Sequence, residues 1–416
     1  MSEKIDLLKE IAKTNKYTSK MYAKIKSKRH KSDFSISSLN YPIPYKDSKE
    51  KLRINIVVPG FKKSIVYAGL TTAINAFIKL CDGVECDRRI IVMSNEKYHE
   101  KLTYGVNGFE HNNEKDGIFF LRENPRISIR KNEIFVMTSW HTVYIVDRIY
   151  KWQRDMYGET KYKKVYFIQD YEPGFSPWST EYMLAEATYK LEKESTVAVF
   201  NSEELYRYFK LMNYSFSCEV FFKPSLNEKL REYLYDSKST NIKRNKIILV
   251  YGRISSYRNC FGLLIDALRI FSAQYKKAKE WRIISLGEIH DNIKLENNEV
   301  ISYGKVSLKE YAHYMCEAYL GVSLMASPHP SYPPLEMSTF GMKVITNNFL
   351  NKDLSYFNDN INVVDNCSPY ELASKMIDIC EQYYISPSSD IVINEAYVEG
   401  ASFDNAIDII KKELFM

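Results

Sequence analysis

Short apolar runs rich in β-branched residues alternate with stretches of helical period in two separate parts of this chain. That alternation is the strongest constraint on the fold, because a strand that is apolar on both faces needs helices to cover both. In the first part Arg53–Val58 (RINIVV) stops at Pro59-Gly60 and precedes a helix over 70–80. Strands follow at 90–93, 133–137, 165–168 and 196–200, with helices at 183–194 and from Glu203. The pattern restarts with a strand at 247–251 and a helix at 261–273, then strands at 281–286 and 300–303. It ends with helices at 308–317, 334–340 and 369–383 around strands at 321–324 and 343–346.

Both parts predict doubly wound parallel sheets, so the expected class is α/β with two Rossmann-like domains facing a central cleft. The expected boundaries are 51–235 and 246–400, with the polar stretch 227–245 as interdomain linker. Residues 1–50 read as a helical extension and linker, and 401–416 as a last helix that can cross back to the first domain. Within 4–29, Ile5, Leu8, Ile11, Tyr17, Met21 and Ile25 recur at near-helical spacing with lysines between them. Such a basic amphipathic helix suits an anionic membrane surface or packing on its own protein.

Most of the formal charge of +6 lies in those first fifty residues, so the body is nearly neutral and a nucleic-acid partner is not expected. The seven cysteines are scattered without a C-x-x-C pair, which fits reduced thiols in a cytoplasmic protein. No apolar run is long enough to span a bilayer. No D-x-D occurs, so neither a carboxylate-held Mg²⁺ nor another cofactor is expected.

The second part carries the sharper chemistry. Gly252-Arg253 and Arg258-Asn259 sit in the loop between its first strand and helix, offering two guanidinium forks at the mouth of a parallel strand. A diphosphate needs that arrangement. Gly287-Glu288 and Gly304-Lys305 follow later strands, where glycine permits close approach of a ligand and Lys305 adds charge. Then comes Ser323-Leu-Met-Ala-Ser-Pro-His-Pro-Ser-Tyr-Pro-Pro-Leu-Glu-Met337, a strand exit, a proline-fixed loop and a helix start. Pro334 suits the first helical position, and Glu336, expected in the first turn, suits sugar hydroxyls.

The order GR-x₄-RN, GE, GK and SPHPSYPPLEMSTFGMKVIT resembles the C-terminal half of GT-B nucleotide-sugar glycosyltransferases. QDYEP together with SPHPSYPPLEM resembles the WsaF-type bacterial rhamnosyltransferases, over most of residues 50–385. That resemblance implies dTDP-L-rhamnose as donor and a growing, lipid-linked rhamnose chain as acceptor. It also implies that Arg253 and Arg258 hold the diphosphate, that Glu336 holds the deoxyribose hydroxyl and that Lys305 lies beside the donor.

Two positions depart from the family pattern. Pro328 stands where relatives carry the first Glu of an E-x₇-E pair, which moves the sugar contact to His329 or Tyr332. Gln169 stands where relatives carry a histidine, so the base is sought elsewhere. Asp170 and then His141 are the candidates, since both leave strands at their carboxyl ends; a hydrogen-bonded core role is the plain alternative for His141. A retaining transfer needs no protein base. Gly69, ending the turn Val66-Tyr-Ala-Gly69, can approach the donor as the double glycine of relatives does. A nucleotide-sugar epimerase of the same build and a non-catalytic scaffold of a glycan-assembly complex are the competing functions.

Overall fold

The computed structural model describes residues 42–60, 68–93, 108–159, 161–237, 243–388, 391, 393–400 and 404–416. The basic helix expected over 4–29 lies outside these residues. The first lobe contains β1 (Ile43–Lys46), β2 (Arg53–Val58), α1 (Ala68–Cys81), β3 (Asp87–Val92), β4 (Glu110–His111), β5 (Asp116–Phe120), β6 (Arg126–Ile129) and β7 (Glu133–Met137). It continues through α2 (Trp140–Tyr157), β8 (Lys164–Ile168), α3 (Thr180–Ala187), β9 (Thr196–Phe200), α4 (Glu203–Leu211) and β10 (Cys218–Phe221). Its main sheet runs β10-β9-β8-β7-β2-β3-β5-β4 with every neighbouring pair parallel.

The second lobe has α5 (Glu228–Ser237), β11 (Asn245–Gly252), α6 (Phe261–Gln274), β12 (Arg282–Gly287), β13 (Ile293–Lys294), β14 (Glu299–Gly304), α7 (Leu308–Glu317) and β15 (Ala318–Val322). It closes with α8 (Tyr332–Thr339), β16 (Lys343–Asn347), β17 (Ile361–Val364) and α9 (Pro369–Gln382). Its sheet runs β13-β14-β12-β11-β15-β16-β17, parallel except for the short edge strand β13. Chain order reverses beside β2 and again beside β11. Loops leaving those central strands diverge and open a crevice, which is where open α/β sheets bind ligands.

The apolar runs explain the layers. Every residue of β2, β7, β8, β9 and β15 is buried. Ile54, Ile56 and Val58 meet Phe77 of α1 on one face, while Phe135, Met137 and Tyr166 meet Ile145 and Ile149 of α2 on the other. Each such side chain contributes roughly 1.5–3 kcal/mol when fully buried. At the amino ends of the strands, away from the crevice, Glu133 accepts from Arg53 (2.7 Å), Arg89 (2.6 Å) and Asn55 (3.0 Å). Burial pulls the Arg89 guanidinium down to about 9, and the Glu133 charge opposes that shift.

The structure departs from the sequence expectation in several places. The linker expected before residue 51 contains β1, which pairs in parallel with β6. The presumed linker 227–245 contains α5, because Leu226, Leu230 and Leu234 repeat every four residues and bury against the second lobe's core. The helix expected over 183–194 stops at Ala187; Glu192 takes a left-handed conformation (φ 48°) and a short 3₁₀ turn follows. Helix α2 has no counterpart among the expected elements. Its Val143, Ile145, Val146 and Ile149 are β-branched and favour strands in isolation, and burial against the sheet overrides that preference.

A last helix, α10 (Asp404–Phe415), packs Ile407, Ile410 and Leu414 into the first lobe's core. Ion pairs Lys79–Asp404 (2.8 Å) and Lys163–Glu413 (2.6 Å) flank it. The chain therefore passes between lobes twice, and the Leu226 amide donates to the Tyr397 carbonyl (2.9 Å) where the passages run side by side. No helix among the described residues is long and apolar enough to cross a membrane.

Candidate active site

The second lobe's half of the crevice begins at Gly252. A Cβ there would fall 2.0 Å from the Ser285 hydroxyl, and one on Gly287 (φ 136°) would fall 2.9 Å from the Gly252 carbonyl oxygen. Only glycine lets these two strand ends meet. The Glu288 amide donates to the Gly252 carbonyl (2.9 Å), and the Ser255 amide donates to the Glu288 carboxylate (2.8 Å). Arg253 Nε lies 3.7 Å from that carboxylate.

Glu336 reaches the same neighbourhood from α8. Burial raises the Tyr251 phenol pKa, with Arg253 opposing the shift and Glu336 and Glu288 adding to it. The Glu336 carboxyl is itself pushed up to about 7 by burial, partly offset by the Tyr311 hydroxyl. Its position differs from the expected first turn. Helix α8 starts at Tyr332 after Ser331 (φ 69°), so Pro333 and Pro334 occupy the turn whose N–H groups lack intrahelical partners and Glu336 lies beyond it. Complementing the helix dipole therefore does not explain Glu336.

The proline loop ahead of α8 is clamped from three sides. The Ala326 amide donates to the Arg258 carbonyl (2.7 Å), the Met325 amide to Asn347 (2.7 Å), and Lys352 Nζ to the Met325 carbonyl (2.7 Å). Within the loop, Ser331 N–H donates to His329 Nδ1 (3.0 Å), which leaves the proton of a neutral ring on Nε2. That nitrogen is buried without a partner among the described residues, although His329 is only 6% exposed. Burial lowers the His329 pKa and raises that of Tyr332 to about 12.

Asp170 faces this loop from the end of β8. One carboxylate oxygen accepts from the Tyr171 amide (2.8 Å) and the Ser327 hydroxyl, and the other pairs with the Arg258 guanidinium. That guanidinium also lies over the Phe175 ring, 4.0 Å from its centroid. A candidate base and a candidate phosphate ligand thus hold each other across the crevice. Glu172 turns elsewhere: it accepts from the Trp140 amide (2.6 Å) and the Tyr166 hydroxyl (3.0 Å), and burial raises it to about 8. It satisfies the start of α2 and does not converge with Asp170.

His141 is the second residue of α2, stacked on Trp140 at 3.6 Å between ring centroids. Burial pushes its pKa down to about 4, so the ring is neutral near pH 7. Lys305 stands exposed beyond Gly304 at the end of β14, two strands from β11. Gly69 lies in the first turn of α1 rather than in a turn before it, and residues 61–67 are outside those described. Arg258, Asp170 and His329 therefore gather around the proline loop, while Arg253 and Glu336 both act on the Tyr251 phenol.

Lys352 joins the residues around the proline loop and escapes the sequence reading. It is buried, its amine held down to about 8 by burial with the Asp170 charge opposing. A lone lysine in NNFLNKDLSY reads as surface, and nothing local marks it as a clamp.

The N-terminal domain of the WsaF family matches residues 53–203 and its C-terminal domain matches residues 246–377, together more than half of the chain. O-antigen biosynthesis protein RfbC of Myxococcus xanthus is 28% identical over 183 residues, 44% of this chain but only 14% of that protein's length. Among solved structures, HepE of Anabaena in complex with UDP superposes with a TM-score of 0.50 at 10% identity, covering 87% of this chain and 96% of the other. The UDP-forming α,α-trehalose-phosphate synthase of Burkholderia xenovorans, solved with glucose-6-phosphate, gives 0.50 at 8% identity over 79% and 92%. At those identities the likeness concerns the fold. With both domains matched in chain order on two facing Rossmann-like lobes, this chain belongs to the WsaF family and has the GT-B fold of nucleotide-sugar glycosyltransferases.

Proposed function

We propose that this glycosyltransferase-family member moves L-rhamnose from dTDP-L-rhamnose to a growing, lipid-linked glycan of a bacterial surface polysaccharide. The observation that supports the reading is the close meeting of the Gly252 and Gly287 strand ends beside Arg253, with the Arg253 and Glu336 charges both acting on the Tyr251 phenol. A guanidinium fork meets diphosphate oxygens, and a carboxylate accepts a ribose-type hydroxyl; one nucleoside diphosphate offers both. Rhamnose and the deoxythymidine base rest on the family resemblance.

In this reading the diphosphate competes with Asp170 for Arg258. Donor binding draws the guanidinium away and frees the carboxylate to accept the proton of the acceptor hydroxyl. The acceptor oxygen then bonds the anomeric carbon as the bond to phosphate breaks. Arg253 and Arg258 neutralise the departing charge. His329 Nε2–H and Tyr332 are the donors offered to the sugar, in place of the carboxylate that Pro328 removes. His141 is the second candidate base, weaker because its ring is held neutral down to about pH 4. Lys305 and Gly69 are assigned to the base and sugar ends of the donor respectively. The basic segment 4–29, which the sequence reads as an amphipathic helix, is assigned to peripheral contact with the inner face of the cell membrane.

Calorimetry tests the donor assignment. Arg253→Ala and Glu336→Ala each weaken dTDP binding by about tenfold or more (about 1.4 kcal/mol); wild-type affinity in both variants would refute it. A thermal-shift series with dTDP, UDP and GDP tests the identity of the nucleotide base, because the preferred nucleotide raises the melting temperature most.

A further inference from the structure

The two oxygens of the Asp170 carboxylate are held by different kinds of partner. Oδ2 pairs with the Arg258 guanidinium, while Oδ1 accepts from the Tyr171 amide (2.8 Å) and from the Ser327 hydroxyl. A diphosphate can draw the guanidinium away because it offers more negative charge. It gains far less from a neutral hydroxyl, so the Ser327 contact survives that exchange.

Ser327 is shaped for this contact by its own lobe. It is only 2% exposed. Its oxygen accepts from the His329 amide (3.0 Å), a serine-to-backbone bond two residues on that fixes the turn. The single hydroxyl hydrogen is left for the carboxylate, which when ionised can only accept. The two residues before it are pinned in succession. The Met325 amide donates to Asn347 and its carbonyl accepts from Lys352 (both 2.7 Å), and the Ala326 amide donates to the Arg258 carbonyl (2.7 Å). The hydroxyl therefore reaches Asp170 from a fixed direction, and from the opposite lobe.

An aspartate carboxylate needs such a guide. Its terminal torsion is broad and roughly twofold, so its two oxygens can trade places. The Tyr171 amide belongs to the adjacent residue of the same loop and shares that loop's movements. We infer that Ser327 is a positioning residue: by holding Oδ1 it leaves Oδ2, once Arg258 has turned to the diphosphate, as the oxygen that takes the acceptor proton. The acceptor O–H bond breaks toward Oδ2 and the acceptor oxygen bonds the anomeric carbon. The electron pair of the broken sugar–phosphate bond leaves on the phosphate oxygen, and Ser327 keeps its own proton throughout. Because Ser327 stands on the donor lobe, the base is aimed only while the lobes are together. The inference rests on Asp170 being the base.

The test is a double-mutant cycle in the full chain. It uses dTDP-L-rhamnose as donor, a rhamnose disaccharide or water as acceptor, and dTDP release as readout. Ser327→Ala should lower kcat about ten- to a hundredfold, since a misplacement of about 1 Å can cost that much. The donor KM and the calorimetric affinity for dTDP should stay at wild-type values. Ser327→Thr keeps the hydroxyl and should restore kcat. In an Asp170→Asn background, Ser327→Ala should change kcat by no more than about twofold, because no carboxylate is left to aim. Wild-type kcat in Ser327→Ala, a loss carried by the donor KM, or single losses that multiply in full each overturn the inference. So does a threonine variant as slow as the alanine one at an unchanged melting temperature. The readings beneath it fail by other signs. Asp170→Asn turning over at the wild-type rate removes the base, and a wild type that neither binds dTDP nor releases it from the sugar removes the donor. A slow Asp170→Asn beside a fast Ser327→Ala leaves the base standing and removes only the role of Ser327.

Discussion

Burial holds the Glu336 carboxyl near neutrality, so its charge at the working pH depends on what lies beside it. A ribose-type hydroxyl that donates to it favours the ionised form, and by linkage the ionised form favours the nucleotide. Affinity for dTDP should therefore rise as pH climbs through about 7, and Glu336→Gln should flatten that part of the profile in a calorimetric pH series. Stability moves the other way. The folded value of about 7 exceeds the ordinary 4.5, so this residue's contribution is fully present below about 4.5 and is lost as pH rises through 7. Glu336→Gln consequently loses less melting temperature than wild type between about pH 5 and 8. A variant whose two curves parallel the wild type contradicts both expectations.

At the scale of elements, the contact between the loop after β8 and the loop after β11 matters most. Asp170 is bound by Arg258 and Ser327, which come from the other lobe. Asp170→Asn removes the charge that competes with diphosphate for Arg258, so dTDP should bind as tightly as before or tighter. Turnover should fall by about 10²–10⁴, the usual range for losing a general base. Steady-state kinetics with the dTDP-sugar check this, and unchanged turnover shifts the base role to His141 or to the departing phosphate. Sequence patterns foretold the strands that meet here because each is a short, fully apolar run closed by glycine, proline or a polar loop. They pointed to Arg253 and Glu336 as candidates because the loop and the helix that carry them lie close to those strands in the chain. What they could not supply is partnership at long range. Arg258 and Asp170 are 88 residues apart, and Lys352 reaches Met325 through a packed interior. Helix α2 was hidden for the reverse reason: its local preferences favour a strand, and only the sheet beneath it decides otherwise.

For the whole molecule, α10 belongs to the second lobe in sequence and to the first lobe in packing. Deleting residues 404–416 uncovers the sites of Ile407, Ile410 and Leu414, each worth roughly 1.5–3 kcal/mol when buried. Against a usual total of about 5–15 kcal/mol, the loss is large enough to unfold the first lobe or drive aggregation. Size-exclusion chromatography with melting curves reads this directly, and a monomer with an intact transition would show that the helix is dispensable. Removing residues 1–30 addresses a different surface. It should reduce sedimentation with anionic liposomes and leave dTDP affinity intact; equal sedimentation of both forms discards the membrane contact.

The two passages of chain between the lobes lie side by side, stitched by the Leu226 amide and the Tyr397 carbonyl. A door on adjacent pins swings about one line, and displacement grows with distance from it. Tyr397 stands at those pins and also in the wall of a cavity between the lobes. A hinge about that line opens the crevice widest at the end farthest from Tyr397, the side of Lys305.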